Sequence, residues 1–412
     1  MDIPNQSKLH LAYLDGIRGL AAIFVVMHHA FNSAKFGFEH QAIPQWLRYT
    51  TFWGDYAHYA VVVFIVLSGY CLSMPIVQSS NKWVRGGVKQ YIKRRALRIL
   101  PPYYAAILFA LILLACFPEI QSSSSQSIIW KQYLPAFTPG VLLSHLLVIH
   151  NLNPAWINKI IAPTWSVATE WQLYFTLPLL IILWRRLGLA LMVAISIILG
   201  YALNFTFPQF EPSCPWFLGC FAMGMAGAVL NFSIIDFHVK PYAIKILYLN
   251  RIKQIVVALA FLCFVLTVLK IDVTPPRVLP SHLYIADTLI GITTTAILVF
   301  FTYHLQIQRS EPQRTIKKPA LLQLFETSIS LKLGVFSYSL YLIHDPIFYV
   351  MQFLTTKYQI GVASRYAIMM GMGMPLALGV AYLFYCMIER PLLNLRSSQK
   401  SWDIKASESN LK

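Results

Sequence analysis

LDGIRGLAAIFVVMHHA, residues 14–30, decides how the rest of this chain is read. The stretch is apolar enough to cross a bilayer, yet it carries Asp15, Arg18, His28 and His29. A charged side chain at the centre of a membrane helix costs roughly 2.5–3.5 kcal/mol on insertion scales, so such residues face a bundle interior and are usually put to use there. On one helix Arg18 and His29 stand eleven residues apart, roughly 16 Å at about 1.5 Å per residue. A permanent cation near one membrane face and a titratable base near the other suit chemistry that draws on both sides. His28 and His29 point about 100° apart. Only one of them can face a given site, and periodicity does not choose between them.

Charged residues make up 12% of the chain and hydrophobic residues 57%, about half the charged share of a soluble domain. A water-soluble globule is excluded, and the class expected is an all-α polytopic membrane bundle. Apolar runs of near-spanning length predict about ten transmembrane helices, near 11–32, 56–76, 99–117, 163–184, 187–207, 213–232, 254–270, 283–304, 333–355 and 366–388. With the amino terminus in the cytoplasm, most of the 33 Lys and Arg fall on inner segments, which predicts both termini inside and an even number of spans. The formal charge of +17 is then topology, and no nucleic-acid partner is needed. The expected organisation is one membrane domain over 1–400 and a short cytoplasmic tail over 401–412.

Some segments stand apart from this count. PAFTPGVLLSHLLVIHNL, residues 135–152, is apolar but short and carries two prolines, so it reads as an interfacial or re-entrant piece on the outer side. The first apolar run has no small-residue cleavage site after it and should stay as a span. The six cysteines show no CxxC pairing and read as packing residues, a disulfide among Cys116, Cys214 and Cys220 being the lesser alternative. No internal repeat of the kind many transporters carry is visible.

Further motifs follow in order. VVVFIVLSGYCLS, residues 61–73, places Ser68, Gly69 and Tyr70 where helices pack closely or a ligand nears the backbone. KQYIKRRALRILPPYY, residues 89–104, puts Arg95 and Arg98 three apart on one helix face beside a Pro-Pro break. Two guanidinium forks there can clamp phosphates bidentately, although a positive-inside anchor would look similar. PTWSVATEWQLYFTLP, residues 163–178, sets Glu170 among Trp165, Trp171, Tyr174 and Phe175. A carboxyl in such surroundings fits a proton donor or a partner for histidine, against a plain interhelical hydrogen bond. FSYSLYLIHDPIF, residues 336–348, brings His344 and Asp345 near mid-membrane, where Pro346 is expected to break the helix. Asp287 is another intramembrane acid with no specific role, and Glu389 with Arg390 reads as a solvated ion pair at the inner interface.

Taken in order, these motifs resemble the membrane acyltransferase type 3 family, whose members O-acylate sugars and other hydroxyl acceptors from acyl-CoA. The likeness runs over nearly the whole chain, from the opening stretch through RRALRILPPYY, TWSVATEWQLYF and SYSLYLIHDPI to IERPLL. The family's Arg–x10–His pattern falls on Arg18 and His29, and so points to His29 over His28. Its Arg–x–x–Arg falls on Arg95 and Arg98, its acidic Trp-Ser motif on Glu170, and its late His on His344. Many relatives have two adjacent carboxylates where this chain has Glu170 followed by Trp171. The extra hydrolase-like domain of some members is not expected here.

The resemblance implies catalytic roles for His29, Glu170 and His344, with Arg18, Arg95 and Arg98 on the CoA phosphates and Ser68 and Tyr70 along the acyl path. His29 would act as general base on the acceptor hydroxyl, with Glu170 orienting it or managing its proton, or would carry the acyl group transiently. The donor expected is acetyl-CoA or another acyl-CoA, with no metal, and the partners are membrane lipids and a carbohydrate or glycolipid acceptor. The place expected is a bacterial inner membrane. The alternative function is a carrier or flippase for a sugar or lipid-linked sugar.

Overall fold

Where long apolar runs leave the backbone no water to bond, it must satisfy itself within each segment, and helices do this. The computed structural model of the protein describes residues 11–38, 42–117, 119–122, 138–234, 241–273, 283–314 and 316–394, and among them there are helices and no strand. The expected tail over 401–412 and the first three residues of segment 135–152 lie outside the described residues.

The helices that fall on the ten predicted spans, numbered here in chain order, are α1 Tyr13–Lys35, α2 His58–Val77, α3 Gly87–Cys116, α4 Trp165–Leu187, α5 Leu189–Thr206, α6 Phe217–Val229, α7 Tyr242–Val273, α8 Leu283–Ser310, α9 Ser337–Lys357 and α10 over Val362–Asn394. Among the described residues, 8 helices are long and apolar enough to cross a membrane. The α6 region, Phe217–Ser233, is a shorter apolar helix. α9 is the remaining helix on a predicted span, and its polar Ser, Tyr, His and Asp content dilutes its apolar character.

Three expectations change. α3 begins at Gly87, well before 99, so Arg95 and Arg98 lie within it, and it runs on through Pro101 and Pro102. α9 likewise continues through Pro346 without a break. Proline inside a membrane helix is tolerated where its surroundings satisfy the freed backbone groups; separately, the Tyr338 hydroxyl donates to the Ile99 carbonyl at 3.0 Å and ties α9 to α3. Glu389 is buried and accepts a hydrogen bond from Ser339 Oγ at 2.5 Å, so it is not a solvated partner of Arg390. Segment 138–152 forms the short helix Pro139–Leu146 and a turn at His150–Leu152, too short to span. All six cysteines are free.

The helices gather into two compact units. The first takes the described parts of Met1–Ala21, His58–Arg85 and Thr176–Val335. Its central contact is α2 against α6, closed by two glycines. A Cβ on Gly69 would stand 2.1 Å from the Phe221 carbonyl oxygen, and one on Gly224 would stand 2.0 Å from that of Val66. Backbones this close need residues without side chains, which gives Gly69 a packing role. The second unit takes the described parts of Ala22–Ala57, Gly86–Phe175 and Phe336–Lys412. Here α9 packs on α3 and α10, and the buried Arg365 of α10 donates to the carbonyls of Phe36, Thr355 and Ile360.

Candidate active site

The second unit holds most of the residues that the motifs single out. On α1, His28 and His29 diverge as helix geometry requires. His28 Nε2 pairs with Asn32 one turn on, at 2.9 Å. His29 faces α9, where its Nδ1 lies 3.6 Å from Asp345 Oδ1 and its ring centre 5.0 Å from that of His344. His29 keeps 26% of its side-chain surface accessible, against 7% for Asp345. The structure therefore separates two histidines that periodicity left equivalent.

His344 and Asp345 are held from both sides. His344 Nδ1 lies 3.0 Å from the Leu340 carbonyl oxygen. A carbonyl only accepts, so Nδ1 carries the hydrogen and Nε2 the lone pair. That Nε2 is buried with no hydrogen-bond partner. Asp345 Oδ2 accepts from the Ala162 backbone N–H at 3.2 Å. One helical turn before, the Tyr341 hydroxyl donates to the Pro163 carbonyl at 2.9 Å and shares a 2.6 Å bond with Ser166. These contacts pin the turn Ala162–Thr164, from which α4 starts, against α9.

Glu170 follows less than two turns into α4. Its Oε1 accepts from the Tyr174 hydroxyl at 2.6 Å, the i,i+4 pairing that one helix face allows. Arg95 interacts electrostatically with Tyr174, Arg98, Tyr91 and Glu170. Arg98 is exposed and interacts with the buried Glu389. Glu170 thus belongs with the arginine pair, and the carboxylate set against His29 is that of Asp345. The Glu170–Tyr174 spacing was visible in the sequence. No sequence signal linked Asp345 to His29, or Ser339 to Glu389.

The other predicted residues lie in the first unit. Arg18 donates to Asp15 at 2.8 Å and to Cys71 Sγ at 3.0 Å. The Tyr70 hydroxyl is fully buried, bonded to Thr302 at 2.7 Å and accepting from Asn231 at 2.8 Å. Ser68 is half-buried on α2. Asp287 is fully buried on α8 and accepts from Trp216 Nε1 at 2.8 Å and His58 Nε2 at 2.9 Å, a cluster that sequence reasoning missed.

Chemically, His29 offers a base backed by a carboxylate, and the α3 arginines offer a binding site for anions. His29, His344 and Asp345 each present one donor atom within 4.8 Å of the others, which is also the spacing of a small metal site.

A multispan helical membrane protein with a paired imidazole and carboxylate is the class that fold and site define. The acyltransferase 3 family model, described as an acyltransferase domain, matches residues 11–386. The chain belongs to that family and is an integral membrane acyltransferase. No curated protein and no solved structure matches it.

Proposed function

We propose that this chain is an acyl-CoA-dependent O-acyltransferase of a bacterial inner membrane, moving an acetyl group to a hydroxyl of a carbohydrate or glycolipid of the envelope. The observation that carries the reading is His29, an accessible imidazole set between the Asp345 carboxylate and a second imidazole. Histidine, with an ordinary pKa of roughly 6.5, is suited to moving a proton near neutral pH. His29 takes the proton of the acceptor hydroxyl as its oxygen attacks the thioester carbonyl. The C–S bond then breaks, and the departing thiolate takes that proton back from the imidazolium. One ester and one thiol result, and His29 is restored.

Arg95 and Arg98 hold the donor phosphates through charge-assisted hydrogen bonds. Glu170 and Tyr174 keep Arg95 in place while the site waits for an anion. Arg18 is left out of this clamp because Asp15 and Cys71 already take its guanidinium. α9 runs unbroken through Pro346, whereas many transporters place broken helices at their substrate sites, which favours the enzyme reading.

The test uses purified protein in lipid nanodiscs with radiolabelled acetyl-CoA and envelope glycans. Label in an alkali-labile ester, lost in His29→Ala, is expected. Glycan movement across a proteoliposome membrane with no label incorporated would sink the enzyme reading.

A further inference from the structure

We infer that Asp345 is the positioning residue for His29, engaging its Nδ1–H as Nε2 takes the proton of the acceptor hydroxyl. This deepens the proposed function and rests on its reading of His29 as the base. Three observations support the role. Asp345 is nearly buried, held by the Ala162 N–H on Oδ2 and by a side-chain hydrogen bond with Tyr349, and its Oδ1 is the oxygen nearest His29. His344 is next in the chain and its ring stands 5.0 Å from that of His29, but its Nδ1–H is already used by Leu340 and its Nε2 can only accept. His344 is therefore no anion to balance a protonated His29, and among the site's groups Asp345 is. Finally, 3.6 Å is longer than a hydrogen bond. The pair is loose while His29 is neutral, and it tightens when His29 takes up the acceptor's proton. An interaction stronger in the transition state than in the ground state raises turnover without tightening substrate binding.

Asp345→Asn separates this role from a structural one, because asparagine can still accept from Ala162 but carries no charge. The expected result, in nanodiscs, is a kcat lower by on the order of 10²-fold, with KM for acetyl-CoA and the thermal unfolding midpoint near wild type. Asp345→Glu should recover part of the loss, since it restores the charge, and it serves as the probe should the Asn variant not fold. In a His29→Gln background, adding Asp345→Asn should leave the residual rate unchanged, as it does for residues that act as a unit. Full kcat in Asp345→Asn, a loss confined to KM, or additive losses in the double variant would each overturn the inference. So would stoichiometric zinc in the wild-type protein that Asp345→Asn removes, since all three side chains would then be ligands. If His29→Gln itself turns over normally, the proposed function's base falls. If His29→Gln is dead while Asp345→Asn is normal, only the role of Asp345 falls.

Discussion

In the first unit His58 gives Asp287 a hydrogen bond of 2.9 Å, whereas in the second His29 stands 3.6 Å from Asp345. Trp216 adds a second short bond to Asp287 at 2.8 Å, and Asp287 has no exposed surface. That cluster joins α2, α6 and α8 and sits beside the Phe217 ring. Asp345 is shared among the Ala162 backbone N–H, a hydrogen bond with Tyr349 and the His29 imidazole 3.6 Å away, with the unpartnered Nε2 of His344 alongside. A carboxylate deep in a bundle is costly unless its oxygens are bonded. The tight pair bonds Asp287 Oδ2 twice and ties the helices together, while Asp287 Oδ1 stays buried without a hydrogen-bond partner. The loose pair, 3.6 Å apart, is not closed by a hydrogen bond, which leaves its imidazole able to take a substrate as partner. The length of the imidazole–carboxylate contact, 2.9 Å against 3.6 Å, is what separates the pair proposed as reactive from the one proposed as structural.

The comparison can be broken most sharply at His29. His29→Ala should cut acetyl transfer by about 10²–10⁴-fold, measured as ester formed per enzyme, with normal membrane insertion; near-normal product would make the second pair structural as well. A smaller effect is expected from Arg95→Ala combined with Arg98→Ala. Loss of hydrogen bonds to charged groups at about 1.5–3 kcal/mol should weaken acetyl-CoA binding by roughly 10–100-fold. Equilibrium binding checks it, and unchanged affinity would reduce the pair to a membrane anchor.

Asp287→Ala should act on stability, since it leaves the buried Trp216 donor without its acceptor at about 1–3 kcal/mol, with a smaller loss at the part-exposed His58. A lower unfolding midpoint in detergent, with the surviving folded protein still active, is the expected reading. A fully stable but inactive variant would move that pair into the chemistry. The smallest effect belongs to His58→Ala, for which turnover should stay near wild type; a loss matching that of His29→Ala would erase the distinction between the two pairs.

Some of the site was visible before any coordinates. Arg95 with Arg98, and Glu170 with Tyr174, are neighbours along single helices, and their spacing alone places them on shared faces. The prolines misled the reading. Pro101, Pro102 and Pro346 suggested breaks, but α3 and α9 pass through them. Glu389 misled it as well, since its closeness in sequence to Arg390 said nothing of Ser339 on another helix.

By itself the sequence determined the class of protein and the approximate location of its spans, because the free energy of burying a segment in lipid is summed along that segment and needs no knowledge of its neighbours. Only the tertiary structure decided that Asp345 is the carboxylate beside His29, and that Asp287 is bonded by Trp216 and His58. A helix that is apolar all round has no preferred inner face that its sequence can announce. Which side chains meet then depends on how close the helices pack, and glycines such as Gly69 and Gly224 set that distance across the chain.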